Sequence, residues 1–389
     1  MDAVTRLLSD LVSIPSVNPM GRSLKGPDFL ETRIGDYLDS YFRDLGVSYT
    51  REPVAPGRDN IIARFEPPGS RSTLLFDAHQ DTVPVDGMTI PPFEPSIRDG
   101  RLYGRGSVDI KGGLAAMLAA FSRLVRERPE GAATVIMACT VDEEFTHIGS
   151  SALALNTRGA DLAVIAEPTL LDLVDRHKGA VRWKIRTAGV ACHSSTPHLG
   201  DNAIYRMAGV LDALAEYAGE LARSEPDKVL GPPSLSVGRI DGGLSVNVVP
   251  DWCEIDIDRR LIPGETGPDA IGRAESYVKA HIARPDLVEF LPPWVNMPAL
   301  CPDAERLGPW LNPLKAAIQS IRGVAPSVHG VPFGTDAGPI GATGLPCVVF
   351  GPGDIAQAHT KDEWVDLDQV RAAAEIYHAM AIEVGRAGR

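Results

Sequence analysis

The sequence predicts an α/β protein with a large, mainly parallel-sheet domain carrying helices on both faces, interrupted by an inserted α+β domain with a four-stranded sheet. Three observations predict it. Short apolar runs such as Leu74-Leu75-Phe76 alternate with helical patterns, as strands buried on both faces of a parallel sheet do. Near Gly179 the pattern switches to alternating apolar and charged residues, the mark of a strand with one wet face. From Pro302 the first pattern resumes, which places the second inside it. At 389 residues the chain is long enough for two domains.

The opening residues MDAVTRLLSDLVSIPSV read as a short amphipathic helix ending before Pro15; they lack the basic start of a signal peptide. A second helix is expected over 28–46, stopped by Gly46, then strands over 60–65 and 72–78. A helix over 114–126 begins beside Gly112-Gly113. Strands over 133–140 and 161–165 flank a helix at 150–155. The insertion reads as strand 181–187, helix 203–221, strands 234–240 and 252–260, a helix from Pro263-Gly264 to about 282, and strand 287–291. Pro292-Pro293 is the expected return. A helix to 322, a strand at 346–350 and a helix after Asp366 complete the chain. The large domain thus comprises 1–179 and 293–389, and the insertion 180–292.

Composition excludes several function classes. The net charge of −13 and the lack of any long Lys/Arg run argue against nucleic acid as a partner. No apolar stretch approaches the roughly 20 residues that span a bilayer, so no membrane is expected. Five scattered cysteines without a CxxC pair suggest reduced thiols and a cytoplasmic protein.

Five clusters carry the chemistry, each just past a strand or at a Gly-rich turn. They are Asp77-Ala78-His79-Gln80-Asp81, Gly104-Arg105-Gly106-Ser107-Val108-Asp109 with Gly112-Gly113, Asp142-Glu143-Glu144, Glu167-Pro168, and His359-Thr360-Lys361-Asp362-Glu363. Ligands in open α/β sheets bind beyond the carboxyl ends of the strands, so these groups converge on one edge. Imidazole and carboxylate donors without thiolate suit a hydrolytic cation site, zinc first, with cobalt and manganese as alternatives. No Walker-type Lys-Ser/Thr follows the glycines, which argues against a phosphate loop.

In this order, and over essentially the whole chain, the clusters resemble the dizinc amidohydrolase/peptidase family that includes acetylornithine deacetylase, succinyl-diaminopimelate desuccinylase, carboxypeptidase G and aminoacylase. The resemblance implies two divalent metal ions. His79 and Glu167 would hold one, Glu144 and His359 the other, and Asp109 would bridge them. It makes Asp81 the residue that orients His79, and Glu143 the general base. Residues 189–203, with His193, and 242–250, with Asn247, are similar to the family's lid motifs. His193 would polarise the scissile carbonyl, often from the partner subunit of a homodimer formed through the insertion. Gly334-Thr335-Asp336 resembles its carboxylate-binding turn.

The guanidinium of Arg260 matches a substrate carboxylate, and alternation puts Arg259 on the opposite strand face. Asn247, Gly334 and Thr335 would add donors. The implied reaction is amide hydrolysis of a small N-acyl-amino acid, and the run 351–359 looks most like the deacetylase/desuccinylase branch. A metallo-carboxypeptidase or dipeptidase is the alternative within the family, and a non-catalytic amino-acid-binding scaffold the alternative outside it. His147, three residues past Glu144, is read as structural or as support for the site. Asp81, Asp109, Glu143, Glu144 and Glu167 would account for part of the acidic excess.

Overall fold

A computed structural model describes residues 1–388. Helix α1 (Ala3–Val12) is capped by Asp2, which accepts from the Thr5 N–H, and α2 (Thr32–Leu45) stops at Gly46 in the left-handed region, φ 73°. Strands β1 (Ser48–Ala55), β2 (Arg58–Phe65), β3 (Thr73–His79), β4 (Ser96–Arg98) and β5 (Arg101–Tyr103) lead to α3 (Gly112–Glu127). Next come β6 (Thr134–Thr140), α4 (Ile148–Ala154), β7 (Leu162–Ile165) and β8 (Leu173–His177). The inserted segment contains β9 (Gly179–Ala188), α5 (Ala203–Arg223), β10 (Ser234–Gly242), β11 (Trp252–Leu261), α6 (Gly267–His281), β12 (Val288–Phe290) and β13 (Val295–Met297). The chain closes with α7 (Ala304–Arg322), β14 (Val328–Val331), α8 (Ala337–Gly341), β15 (Cys347–Val349), β16 (Trp364–Asp366) and α9 (Leu367–Ala387).

The chain divides into two compact units. The first comprises Met1–Arg176, Leu300–Gly330 and Thr335–Arg389; the second comprises His177–Ala299 and Val331–Gly334.

In the first unit an eight-stranded sheet has the order β1-β2-β6-β3-β7-β15-β8-β14. Its centre is parallel: β3 pairs with β6 and β7, and β15 with β7. The register aligns His79 with Thr140, and Ile165 with Asp77 and Val349, so these strands end along one edge. Antiparallel β1 and β8 join the flanks. The sequence pattern misses them because SYTREPVA is an exposed edge and LVDRH lacks a sustained period. Leu74, Phe76 and Ala78 of β3 bury in a core shared with α1, α2, α3, α7 and α9. Asp77, on the opposite face, shares the Thr140 hydroxyl with Asp336, the residue before α8. Helices therefore cover both faces.

The second unit has a sheet ordered β10-β11-β9-β12, with β13 also pairing with β9. Five strands thus replace the expected four, because the outer edge of β9 is shared by two short strands, one beyond Pro292-Pro293. Burial alternates along β11, where Ile255, Ile257, Arg259 and Leu261 pack beneath α5 and α6 and their neighbours face out. Among the described residues no helix is long and apolar enough to cross a membrane.

Candidate metal centre

The parallel register of the first unit delivers the polar residues that follow its buried strands to one place. His79 ends β3, Glu143 and Glu144 follow β6, Glu167 follows β7, and His359 follows β15. Asp109 enters from the break before α3, where Asp109 (φ −120°) and Ile110 (φ −134°) leave helical geometry.

Two donor sets share one residue. His79, Asp109 and Glu167 bring one ligand atom each within 4.8 Å of one another, and so do Asp109, Glu144 and His359. The two oxygens of Asp109 face different imidazoles: Oδ1 lies 3.1 Å from Nε2 of His79, and Oδ2 lies 3.3 Å from Nε2 of His359. Nε2 of His359 is also 3.3 Å from Oε2 of Glu144, whose Oε1 accepts from the Val83 N–H at 3.1 Å.

The His79 ring tests whether cations fit. Its Nδ1–H donates to the Asp81 carbonyl at 3.0 Å. In the neutral ring Nε2 then carries a lone pair pointing at a carboxylate oxygen 3.1 Å away, and two acceptors at that distance need a proton or a cation between them. Imidazole nitrogen with carboxylate oxygen is a donor set for divalent ions, and the residues fit a dinuclear site.

Electrostatics point the same way. Burial, then the charge of Asp109, pushes the Glu144 carboxyl up to about 7 and Glu167 well above its ordinary range. Burial raises Glu143 too, with Glu167 adding repulsion that His147 partly offsets. Bonds to Asp109 and Glu144 lift His359 to about 11. Buried carboxylates this close resist ionising together unless positive charge sits among them. Asp81 behaves differently. Burial works against its charge, yet bonds from His79 and Asn18 and the charge of Arg58 hold it below its ordinary value.

Asp81 also accepts the backbone N–H groups of Glu143 (3.1 Å) and Glu144 (3.2 Å), so its carboxylate fixes the loop bearing both glutamates, while its backbone carbonyl takes the His79 Nδ1–H and its Oδ1 lies 3.5 Å from the same nitrogen. Behind it Asn18 donates to Asp81 and Asp142, both at 2.8 Å, and Arg58 pairs with Glu31 and Asp142. Nδ1 of His147 donates to Asp336 at 3.0 Å and lies 3.7 Å from Glu143. Asp142 (φ 63°), His147 (φ 57°) and His359 (φ 60°) hold left-handed backbone, which costs such residues about 1 kcal/mol or more each and concentrates at functional sites.

Sequence reasoning missed Asn18, Arg58 and Asp336 as site support. Asp336 had a signal, its place beside Gly334-Thr335; Asn18 and Arg58 had none. The turn expected to add backbone donors is held in place by its own contacts. Thr335 is buried, and its hydroxyl accepts the Ala337 N–H at the start of α8, while Gly334 belongs to the second unit and packs against Met297.

In the second unit the two lid motifs are laced together. Ser194 N–H donates to the Asn247 carbonyl at 3.0 Å and Val249 N–H to the Cys192 carbonyl at 2.9 Å. Gly189 permits the close approach, since a Cβ there would sit 2.3 Å from the Asp201 carbonyl oxygen. His193 is exposed, and its Nδ1 accepts from the Ser195 backbone N–H at 3.1 Å. In the neutral ring the proton therefore sits on Nε2, which becomes a donor. The Asn247 side-chain oxygen accepts from Ser245 at 2.6 Å, leaving its amine as the donor end. Arg259 is buried against Glu265, whereas Arg260 is half-exposed, with Nε 2.7 Å from Asp258.

The sequence profile of peptidase family M20/M25/M40 matches residues 75–383. The chain is 31% identical over 350 residues to an acetylornithine deacetylase of Vibrio campbellii, covering 88% of this chain and 89% of that protein. It is 30% identical over 378 residues to the acetylornithine deacetylase of Pectobacterium carotovorum subsp. carotovorum, covering 94% of each. Among solved structures, the M20 family metallo-carboxypeptidase Sso-CP2 of Sulfolobus solfataricus superposes with a TM-score of 0.79 at 19% identity, covering 99% of this chain and all of that one. The dipeptidase Dug1p of Saccharomyces cerevisiae does so at 0.81 and 15%, covering 98% and 96%. With the match spanning most of the sequence and donor sets for two cations at the strand ends, the chain belongs to peptidase family M20/M25/M40 and is a metal-dependent amidohydrolase.

Proposed function

We propose that the protein hydrolyses the amide bond of a small N-acyl-amino acid, with zinc as the resident cation and cobalt or manganese able to replace it. The observation that carries this reading is Asp109, whose two oxygens face His79 and His359 separately and so offer one shared ligand to two cations. Bound there, divalent cations supply Lewis-acid polarisation of the acyl group and lower the pKa of the attacking water. His79 and Glu167 hold one, and Glu144 and His359 the other. Glu143 takes the proton of the attacking water on its carboxylate and passes it to the leaving nitrogen.

The Nε2–H of His193 donates to the scissile carbonyl oxygen as charge develops there, from the same chain or from a second copy. Arg260 holds the substrate's α-carboxylate through its outer nitrogens, and Asn247 adds a donor. Relatives named acetylornithine deacetylase, similar along nearly their whole length, favour an acyl-amino acid over a peptide. The test is an assay of acetylornithine, succinyl-diaminopimelate and a dipeptide panel with added zinc or cobalt. Faster turnover of an acyl-amino acid supports the proposal; preference for the dipeptides overturns the substrate assignment.

Two variants separate the roles. His193→Ala should lower kcat about 10²-fold with KM largely kept, because one oxyanion donor is lost. Arg260→Ala should raise KM about 10- to 100-fold, the loss of a charged hydrogen bond. The opposite split in either variant counts against its role.

The second unit also presents a face for a homodimer. Leu199, Tyr205, Leu244 and Val246 are all more than 60% exposed, and β10 ends its sheet. An exposed apolar cluster beside an unpaired strand edge favours association. Sedimentation of the wild type should give a dimer, and the double variant Leu244→Asp/Val246→Asp a monomer. A wild-type monomer at micromolar concentration would remove the proposal.

A further inference from the structure

Glu363 lies four residues beyond His359 and is 1% exposed. Its Oε1 accepts the backbone N–H groups of Val108 (3.0 Å) and Asp109 (3.2 Å), and its Oε2 accepts that of Gly106 (2.9 Å). These donors belong to the broken stretch before α3. Gly106 sits at φ 80°, a turn that lets three N–H groups converge on one carboxylate.

The cradle is anchored from a second direction. Nη1 of Arg105, 3% exposed, lies 2.6 Å from Oε2 of Glu363. Nη2 of the same guanidinium donates to the carbonyls of Pro84 (3.2 Å) and Thr360 (3.3 Å). Pro84 follows the loop of His79 and Asp81, and Thr360 adjoins His359. One buried ion pair therefore ties together the segments that carry His79, Asp109 and His359.

We propose that Glu363 is a positioning residue for the cation centre: held by Arg105, its carboxylate fixes the backbone from Gly106 to Asp109 so that the two Asp109 oxygens face His79 and His359 separately. It touches neither substrate nor ligand atoms and acts through Asp109. The inference rests on Asp109 being the shared ligand. An amide at this position would aim an N–H pair at backbone N–H donors, so glutamine cannot replace the carboxylate despite its shape.

The experiment compares Glu363→Gln with Arg105→Gln/Glu363→Gln, which removes both charges together and leaves neither buried alone. Folding is checked by circular dichroism, and zinc affinity and stoichiometry by competition with a chromophoric chelator. Both variants should bind zinc 10- to 100-fold more weakly than wild type, the second equivalent most, the range found for groups supporting metal ligands. On acetylornithine or whichever acyl-amino acid the wild type turns over, kcat should fall with KM changed less than about threefold. Folded variants with wild-type zinc affinity for both equivalents overturn the inference. Asp109→Asn is the control. If it keeps both cations, the reading of the site fails; if it loses them while Glu363→Gln does not, only the role of Glu363 fails.

Discussion

Replacing Glu143 with alanine is expected to lower kcat about 10³-fold while leaving the cation content unchanged. Glu143 stands outside both donor sets that share Asp109, in a separate group with His147 and Asp336, so its removal takes no ligand from the two proposed cation sites. What it removes is the group proposed to carry a proton from water to the leaving nitrogen, and on that reading its neighbours offer no replacement. Glu144 and Glu167 lie in the two donor sets that could hold the cations, and Asp336 is engaged by His147, Ser150 and Thr140. Metal analysis and steady-state kinetics on one preparation check the prediction. Turnover within tenfold of wild type would overturn the assignment of the base. Loss of a cation together with activity would make Glu143 a ligand instead.

The second large effect concerns metal removal. Two cations at about 100-fold excess over Kd add roughly 5 kcal/mol to the folded state, or on the order of 10 °C in Tm. Chelation should therefore lower Tm by about that amount, and the gap should widen as pH rises from 5 to 8. The sign follows from the proton balance. Glu144 moves from its ordinary 4.5 to about 7 on folding, so the metal-free folded protein keeps a proton that the unfolded chain has already lost in that window. A state that holds more protons is destabilised as pH rises. His359, raised from 6.5 to about 11, acts in the same direction above neutrality. Asp109 is lowered, and the stability it contributes is lost only in acid, below this window. Cations bind the deprotonated donors, so the loaded protein escapes the decline. Equal Tm with and without chelator, or a gap that narrows with pH, would count against the site.

Much of the centre was legible because burial and chemistry coincide in the sequence. A short apolar run such as Leu74-Leu75-Phe76, alternating along the chain with helical patterns, reads as a strand interior, so a histidine at its end attracts notice. The break before α3 was legible through its glycines. The supporting residues were not. Glu363 is one of two adjacent acidic residues in Thr360-Lys361-Asp362-Glu363, and its partners, Arg105 to Asp109, lie some 250 residues earlier. Asn18 and Arg58 gain their roles only when Asp81 and Asp142 arrive beside them. Local pattern reads what a segment does with its neighbours in sequence, and these roles are made by neighbours in space. β8 and β14 escaped for a similar reason, since four or five mixed residues become strands through the sheet that receives them.

The position of β15 has a consequence for biosynthesis. It lies between β7 and β8, strands that leave the ribosome about 180 residues earlier, and the loop after it carries His359 and Glu363. At ordinary translation rates the apolar edge of β7 waits roughly 10–40 s for its partner. During that interval the nascent chain offers a sticky edge and lacks one member of the proposed ligand set, so on that reading cation capture follows translation of nearly the whole polypeptide. The inserted unit, made in the meantime from mostly its own contiguous residues, can fold while the sheet waits.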